Sequence, residues 1–302
     1  MARLSITHVT EYRYRVPVRF AEHRLLFRPR DSHDLRLVAS GLTITPKARL
    51  RWLHDPFGNS VAIASFGAES DRLRFESEIT IDHYGLENPE FRIEDYARTT
   101  PFVYAPEEQP DLLADMMRHT GDPQKRVATW ARSYLDETGR MDTAEGLMAM
   151  NAAIKRDFDY IRREEHGVQT ADETLRLASG SCRDFALLMM EAARSLGMAA
   201  RFVTGYLYDP ALDDPQWSGG EANGTGVVGA GTTHAWCQIY LPGSGWTEFD
   251  PTNGRHGGSN LIRIGSGRTP EQVKPIEGSF FGPPDAGAGM TVEVSVRRVK
   301  PA

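Results

Sequence analysis

Gly180-Ser181-Cys182-Arg183-Asp184-Phe185-Ala186-Leu187-Leu188-Met189-Met190 is the stretch whose reading decides the rest of the chain. Ser181 with Asp184 three residues later is a capping-box-like helix start, and Gly197 is a natural C-terminal stop. Cys182 is then the first helical residue. A thiol in that position feels the positive end of the helix dipole and is within reach of free backbone N–H groups, both of which favour thiolate. Cys182 also shares a helical face with Phe185, Met189 and Leu196, so position alone fits a packed cysteine as well.

Beyond Gly197, residues 199–208 form an apolar run that reads as a buried strand. Residues 209–232 are a Gly- and Asp-rich connection, longer than the ~12–15 residues of most structureless loops. A hairpin follows, with strands over 233–241 and 246–250 around Pro242-Gly243-Ser244-Gly245. In its first strand His234, Trp236, Gln238 and Tyr240 point one way, and Ala235, Cys237, Ile239 and Leu241 point the other. The second set is wholly apolar, which assigns Cys237 to the core and leaves His234 on the more polar face.

A thiolate nucleophile needs an imidazole for proton exchange, and the imidazole needs a third group to fix its tautomer. Asp250, ending the second strand, is placed to supply it under one condition. If Tyr240 pairs with Trp246, Asp250 lies opposite Trp236 and His234 is its diagonal neighbour on the same face. If Leu241 pairs with Trp246, Asp250 points away unless a bulge restores it.

Residues 1–97 read as strands and turns. Alternation runs through Leu73-Arg74-Phe75-Glu76-Ser77-Glu78-Ile79-Thr80-Ile81, through 41–46 and through 48–53, with a turn at Asp55-Pro56-Phe57-Gly58-Asn59. From Pro110 the period becomes helical. Asp122-Pro123 reads as the start of a helix through Trp130 and Tyr134, and further helices are expected near 144–154 and after Thr170. The Gly-, Pro- and Arg-rich tail ends in an expected strand over 291–296.

The 302 residues are 40 % hydrophobic, enough for a sizeable core, and carry 35 Lys and Arg against 41 Asp and Glu, a formal net charge of −6. Residues 1–97 hold 14 groups of each sign, so the Arg-rich start is a balanced face, with no nucleic-acid or anionic-membrane partner expected. No apolar run approaches a membrane span or a secretory signal, and the chain reads as soluble and cytoplasmic. Two cysteines make neither a disulfide framework nor a thiolate zinc site. Serine-hydrolase, zincin, phosphate-loop and EF-hand motifs are lacking, while Glu164-Glu165-His166 and Asp213-Asp214 read as solvated loop charges; neither metal nor cofactor is expected. His256, in Gly-rich surroundings, is a competing base read as an exposed loop residue.

The runs Gly180 through Ala186, Thr233-His234-Ala235-Trp236 and Gly245-Trp246-Thr247-Glu248-Phe249-Asp250-Pro251-Thr252-Asn253 closely resemble the transglutaminase-like core of bacterial proteins. The N-terminal region, with Tyr12 and Tyr14 in its first strand and the 55–59 turn, resembles the β domain that precedes that core in the same family. The resemblance implies an α+β chain: an N-terminal antiparallel β domain over 1–97, then a papain-like catalytic core over 98–302 with a C-terminal β segment. It implies a triad of Cys182, His234 and Asp250 acting on a peptide or protein amide through a thioester, with water or an amine as the acceptor. The Cys182 N–H, at the open helix end, is the expected oxyanion donor, and Trp236 and Trp217 are candidate walls of the site. The alternatives are protein cross-linking and a non-catalytic peptide-binding module. A homodimer, if formed, is expected at an exposed β edge of the first region.

Overall fold

The computed structural model describes residues 2–85, 89–162, 167–213, 227–229 and 231–300. Its first half is built around one long strand, Ala2–Phe20, whose early residues alternate between core and surface and bury Leu4, Ile6, His8 and Thr10. It pairs antiparallel with Ser70–His83, which in turn pairs with Leu35–Thr45. A second sheet runs Ala48–His54, Ser60–Phe66, His23–Arg28. Val18, Phe20, Leu25, Phe27, Ala62, Ala64, Leu73 and Phe75 form an apolar cluster within this region. The 55–59 turn forms as the sequence predicts: Gly58 takes φ +76°, and the Asp55 carboxylate accepts the N–H groups of Phe57 and Asn59 at 3.0 and 2.9 Å.

A division at residue 97 is one of sequence more than of space. The last strand, Gly287–Arg298, pairs antiparallel with Ala2–Phe20, and the two-residue strands Ile276–Glu277 and Phe280–Phe281 add to the N-terminal sheets. Alternation in the tail predicts a strand but not its partner. The partner is set by the free edge of Ala2–Phe20, whose other side Ser70–His83 already occupies.

The helical segment differs from expectation at its start. Helix Arg126–Arg132 begins three residues after Pro123, because Lys125 is left-handed (φ 56°); Asp122 reaches forward to accept the N–H groups of Val127 and Ala128 at 3.3 and 3.0 Å. Helices Thr143–Asp157 and Ala171–Leu177 follow, and a short one, Gln109–Met116, stands where the helical period begins at Pro110. Helix Cys182–Ser195 is buried along nearly all its length. Two buried charges towards its C-terminal end therefore pair: Arg194 donates to Glu191 at 3.0 Å, and Arg118 adds a bond to the same carboxylate at 2.9 Å.

This helix packs on a five-stranded antiparallel sheet ordered Arg255–His256, Gly245–Asp250, Thr233–Leu241, Ala200–Leu207, Leu261–Gly267. One apolar cluster runs from Leu4, Ile6, Ile79 and Ile81 through Leu188 and Met189 to Ile239 and Phe249, so the two regions share a core. Polar links cross the same boundary. Asn59 donates to the Ser266 carbonyl at 2.8 Å and accepts its N–H at 2.9 Å, and His8 Nδ1 meets the Tyr206 hydroxyl at 2.9 Å. Among the described residues no helix is long and apolar enough to cross a membrane.

Burial pushes the His8 imidazole down to about 4. The unfolded chain, with an ordinary histidine near 6.5, therefore binds more protons than the fold across that window. Stability is at its full value above pH ~6.5 and falls as pH drops towards ~4, by about 3 kcal/mol from this group. Urea unfolding between pH 7 and 4 should show the decline, and H8N should flatten it; an unchanged slope in H8N would remove His8 as its source.

Candidate active site

The peptide ahead of Cys182 is fixed from two sides. Gly180 sits in a two-residue parallel pairing with Tyr160, and the Ile161 N–H donates to the Gly180 carbonyl at 2.8 Å. A Cβ at Gly180 would come within 2.8 Å of the Asp184 side chain, so glycine lets the capping carboxylate close in. Asp184, fully buried, accepts from the Ser181 N–H and hydroxyl at 2.8 Å each and from the Gln169 N–H at 2.7 Å. The capping acid thus also ties the preceding loop to the helix start. Cys182 opens the helix half-buried, whereas residues 184–194 behind it are buried.

The hairpin adopts the register that the arrangement needs. Tyr240 lies opposite Trp246, Leu241 opposite Gly245, and Cys237 opposite Phe249. Asp250 and His234 consequently meet, with His234 Nε2 and Asp250 Oδ2 at 2.9 Å and each residue only 2 % exposed. Asp250 is held further by the Thr252 N–H on Oδ1 at 3.1 Å and by Asn253 Nδ2 on Oδ2 at 2.7 Å.

With Nε2 committed to the carboxylate, Nδ1 is the open ring nitrogen: it is buried and has no bond of normal geometry among the described residues. The Cys182 side chain is near enough to favour the charged form of this imidazole. Burial opposes the imidazolium, but the Asp250 charge and hydrogen bond, helped by Cys182, overcome it and raise the His234 pKa to about 10. Burial likewise works to raise the Asp250 carboxyl, and the His234 and Asn253 bonds hold it below its ordinary value.

Trp236 lies alongside the imidazole, its ring 24° from parallel at 6.0 Å between centroids. Its indole N–H donates to Glu248, which also accepts from Gln238 at 2.6 Å and Arg263 at 2.7 Å. A Cβ at Gly205, across the sheet, would strike the Trp236 ring at 2.8 Å and the Ile262 carbonyl at 2.0 Å, so glycine permits this packing. Trp217 lies outside the described residues, as do Glu164, Glu165, His166 and Asp214.

The other expected side chains separate clearly. Cys237 is fully buried, its thiol 3.7 Å from the Phe249 carbonyl, and burial pushes its pKa well up. His256 is not on an exposed loop. It pairs with Phe249 in a short strand and packs on Phe91 at 5.0 Å, half-buried, because Gly254 and Gly257 bend the chain back against the sheet edge. Sequence reading gave no role to Asn253 or Glu248. Asn253 carries a signal, a short amide side chain three residues beyond a strand-ending Asp, but its other partner lies far away in sequence.

Residues 4–82 match the family model described as bacterial transglutaminase-like N-terminal region, and residues 128–251 match that of the transglutaminase-like superfamily. An uncharacterized protein of Mycobacterium tuberculosis is 28 % identical over 297 residues, covering 92 % of this chain and 88 % of the relative. One of Mycobacterium leprae is 24 % identical over 301 residues, covering 98 % and 99 %. Among solved structures, a candidate cysteine protease from Cytophaga hutchinsonii shares the fold, with a TM-score of 0.70 at 17 % identity over 100 % of this chain and 92 % of the other. Together the two matches set a bacterial transglutaminase-like N-terminal region ahead of a transglutaminase-like core along this chain.

Proposed function

We propose that this chain is a cysteine enzyme that hydrolyses a peptide or glutamine-type amide through a thioester on Cys182. The observation that carries the reading is the buried His234–Asp250 hydrogen bond, which leaves Nδ1 to the thiol at the helix start. The Sγ proton rests on Nδ1, so the imidazolium faces a Cys182 thiolate, and that thiolate bonds to the amide carbon. The Cys182 N–H, among the helix N–H groups that lack an intrahelical partner, meets the developing oxyanion. As the C–N bond breaks, the imidazolium gives its proton to the departing amine and a thioester remains.

Water then loses a proton to Nδ1 and attacks the thioester. The C–S bond breaks, the sulfur is released as the thiolate beside the imidazolium, and a carboxylic acid leaves. An amine in place of water would make the same site a transamidase. Water is the acceptor favoured here because it needs no second binding site, and the description of the Cytophaga hutchinsonii structure as a candidate cysteine protease agrees with it. Asp250 acts through His234: it fixes the tautomer and stabilises the imidazolium.

Replacing Cys182 by Ala should abolish labelling by an acyl-directed thiol probe and all amide turnover, at unchanged unfolding midpoint. Undiminished labelling of C182A would remove Cys182 as the nucleophile, and a peptide-binding module without chemistry would then be the better account. D250N should lower kcat by roughly 10³ to 10⁴ with a small change in KM, the scale seen when an imidazole loses its orienting carboxylate. Mass spectrometry of a glutamine peptide incubated with and without a primary amine should show deamidation or cleavage in both; quantitative amine incorporation would instead mark cross-linking as the reaction.

A further inference from the structure

The Asn253 side chain makes three hydrogen bonds, and each goes to a part of the candidate site. Nδ2 donates to Asp250 Oδ2 at 2.7 Å and to the Val228 carbonyl at 3.2 Å, and Oδ1 accepts the Val228 N–H at 2.8 Å. One amide therefore reads the Val228 backbone in both directions, as a neighbouring strand would, while holding the carboxylate bonded to His234. The residues on either side of Val228 lie against Trp236 and His234 in turn. Val227 packs in a cluster with Trp236, and a Cβ at Gly229 (φ +89°) would lie 3.0 Å from His234 Nδ1. Backbone without a side chain thus lies beside the nitrogen that faces the thiol.

We infer that Asn253 is a positioning residue of this site, locking the Asp250 carboxylate onto His234 Nε2 and holding the backbone of residues 227–229 against the imidazole. The inference rests on the acyl-transfer reading above. Three geometric consequences follow. Asp250 Oδ2 receives two donors from different directions, so rotation of the carboxylate away from Nε2 breaks two bonds at once. Residue 229 has a positive φ, and a Cβ there would press on Nδ1 at 3.0 Å, so both the backbone and the close approach favour glycine. The amide also cannot be exchanged for a carboxylate without loss: Asp at 253 keeps an acceptor for the Val228 N–H but sets a second carboxylate against Asp250, where like charges at short range cannot both ionise freely.

The test needs no knowledge of the natural substrate. Iodoacetamide alkylates Cys182 by displacement of iodide, and the rate at this residue is read by mass spectrometry of its peptide across pH 5 to 10 in the full chain. The wild type, H234A, D250N, N253A and N253D are compared, each with its unfolding midpoint. N253A should slow alkylation at pH 7 by roughly tenfold or more, the scale of one charge-assisted hydrogen bond, and should shift the pH profile in the same direction as D250N. N253D should be slowed as well despite its near-identical shape. It serves as the folded variant if N253A proves too unstable to assay. Wild-type rates and profile in N253A or N253D, with H234A and D250N slow, would overturn the role of Asn253 and leave the acyl-transfer reading standing. Wild-type rates in H234A and D250N would overturn both.

Discussion

The hydrogen bond between His234 and Asp250 is made where water hardly reaches, and it depends on a register that a one-residue slip would destroy. With Tyr240 opposite Trp246, the carboxylate and the imidazole project from one face of the sheet. Shifted by one, Asp250 would point to the other face, and a buried imidazole would be left without its counter-charge. Burial gives the pair its effect. Desolvation is the largest single influence on the ring, but screening by solvent is small there, so the charge and hydrogen bond of the carboxylate, helped by Cys182, together outweigh it.

Everything around this pair serves to keep two charged groups in a dry place. The helix start carries Cys182, which favours the charged ring, and its own position is fixed by the buried Asp184, which accepts three hydrogen bonds from the loop and the cap. Trp236 lines the imidazole and is itself anchored on Glu248. The apolar core continues from this sheet into the N-terminal region, where Asn59 and His8 tie the long-strand sheets to the sheet that carries His234 and Asp250. The β region therefore acts as a buttress for the strands that carry His234 and Asp250, and the C-terminal tail closes it by pairing with its first strand.

Local pattern made much of this legible before any coordinates. Ser181, Asp184 and Gly197 announce a helix with Cys182 at its start; the alternation from Thr233 to Leu241 separates His234 from Cys237; Asp55 to Asn59 announces a tight turn. These readings depend on residues within a few positions of one another. Contacts between distant segments were not legible. Nothing in 291–296 says that its partner is residues 4–14, and nothing in the 55–59 turn says that Asn59 meets Ser266. His256 was misread for a related reason, because Gly-rich flanks suggest an exposed loop while the short pairing with Phe249 and the contact with Phe91 are tertiary. Asn253 sits inside a recognised motif, yet its meaning lies in Val228, 25 residues before it.

A buried carboxylate keeps the His234 imidazole charged beside the Cys182 sulfur. Nitrogen NMR of the histidine side chains, titrated from pH 5 to 11 in the wild type and in D250N, observes this directly. The account predicts an imidazolium that persists through neutral pH and gives up its proton only near 10, the transition moving down by several pH units in D250N. A His234 ring that is neutral at pH 7, with a titration that D250N leaves in place, would contradict it.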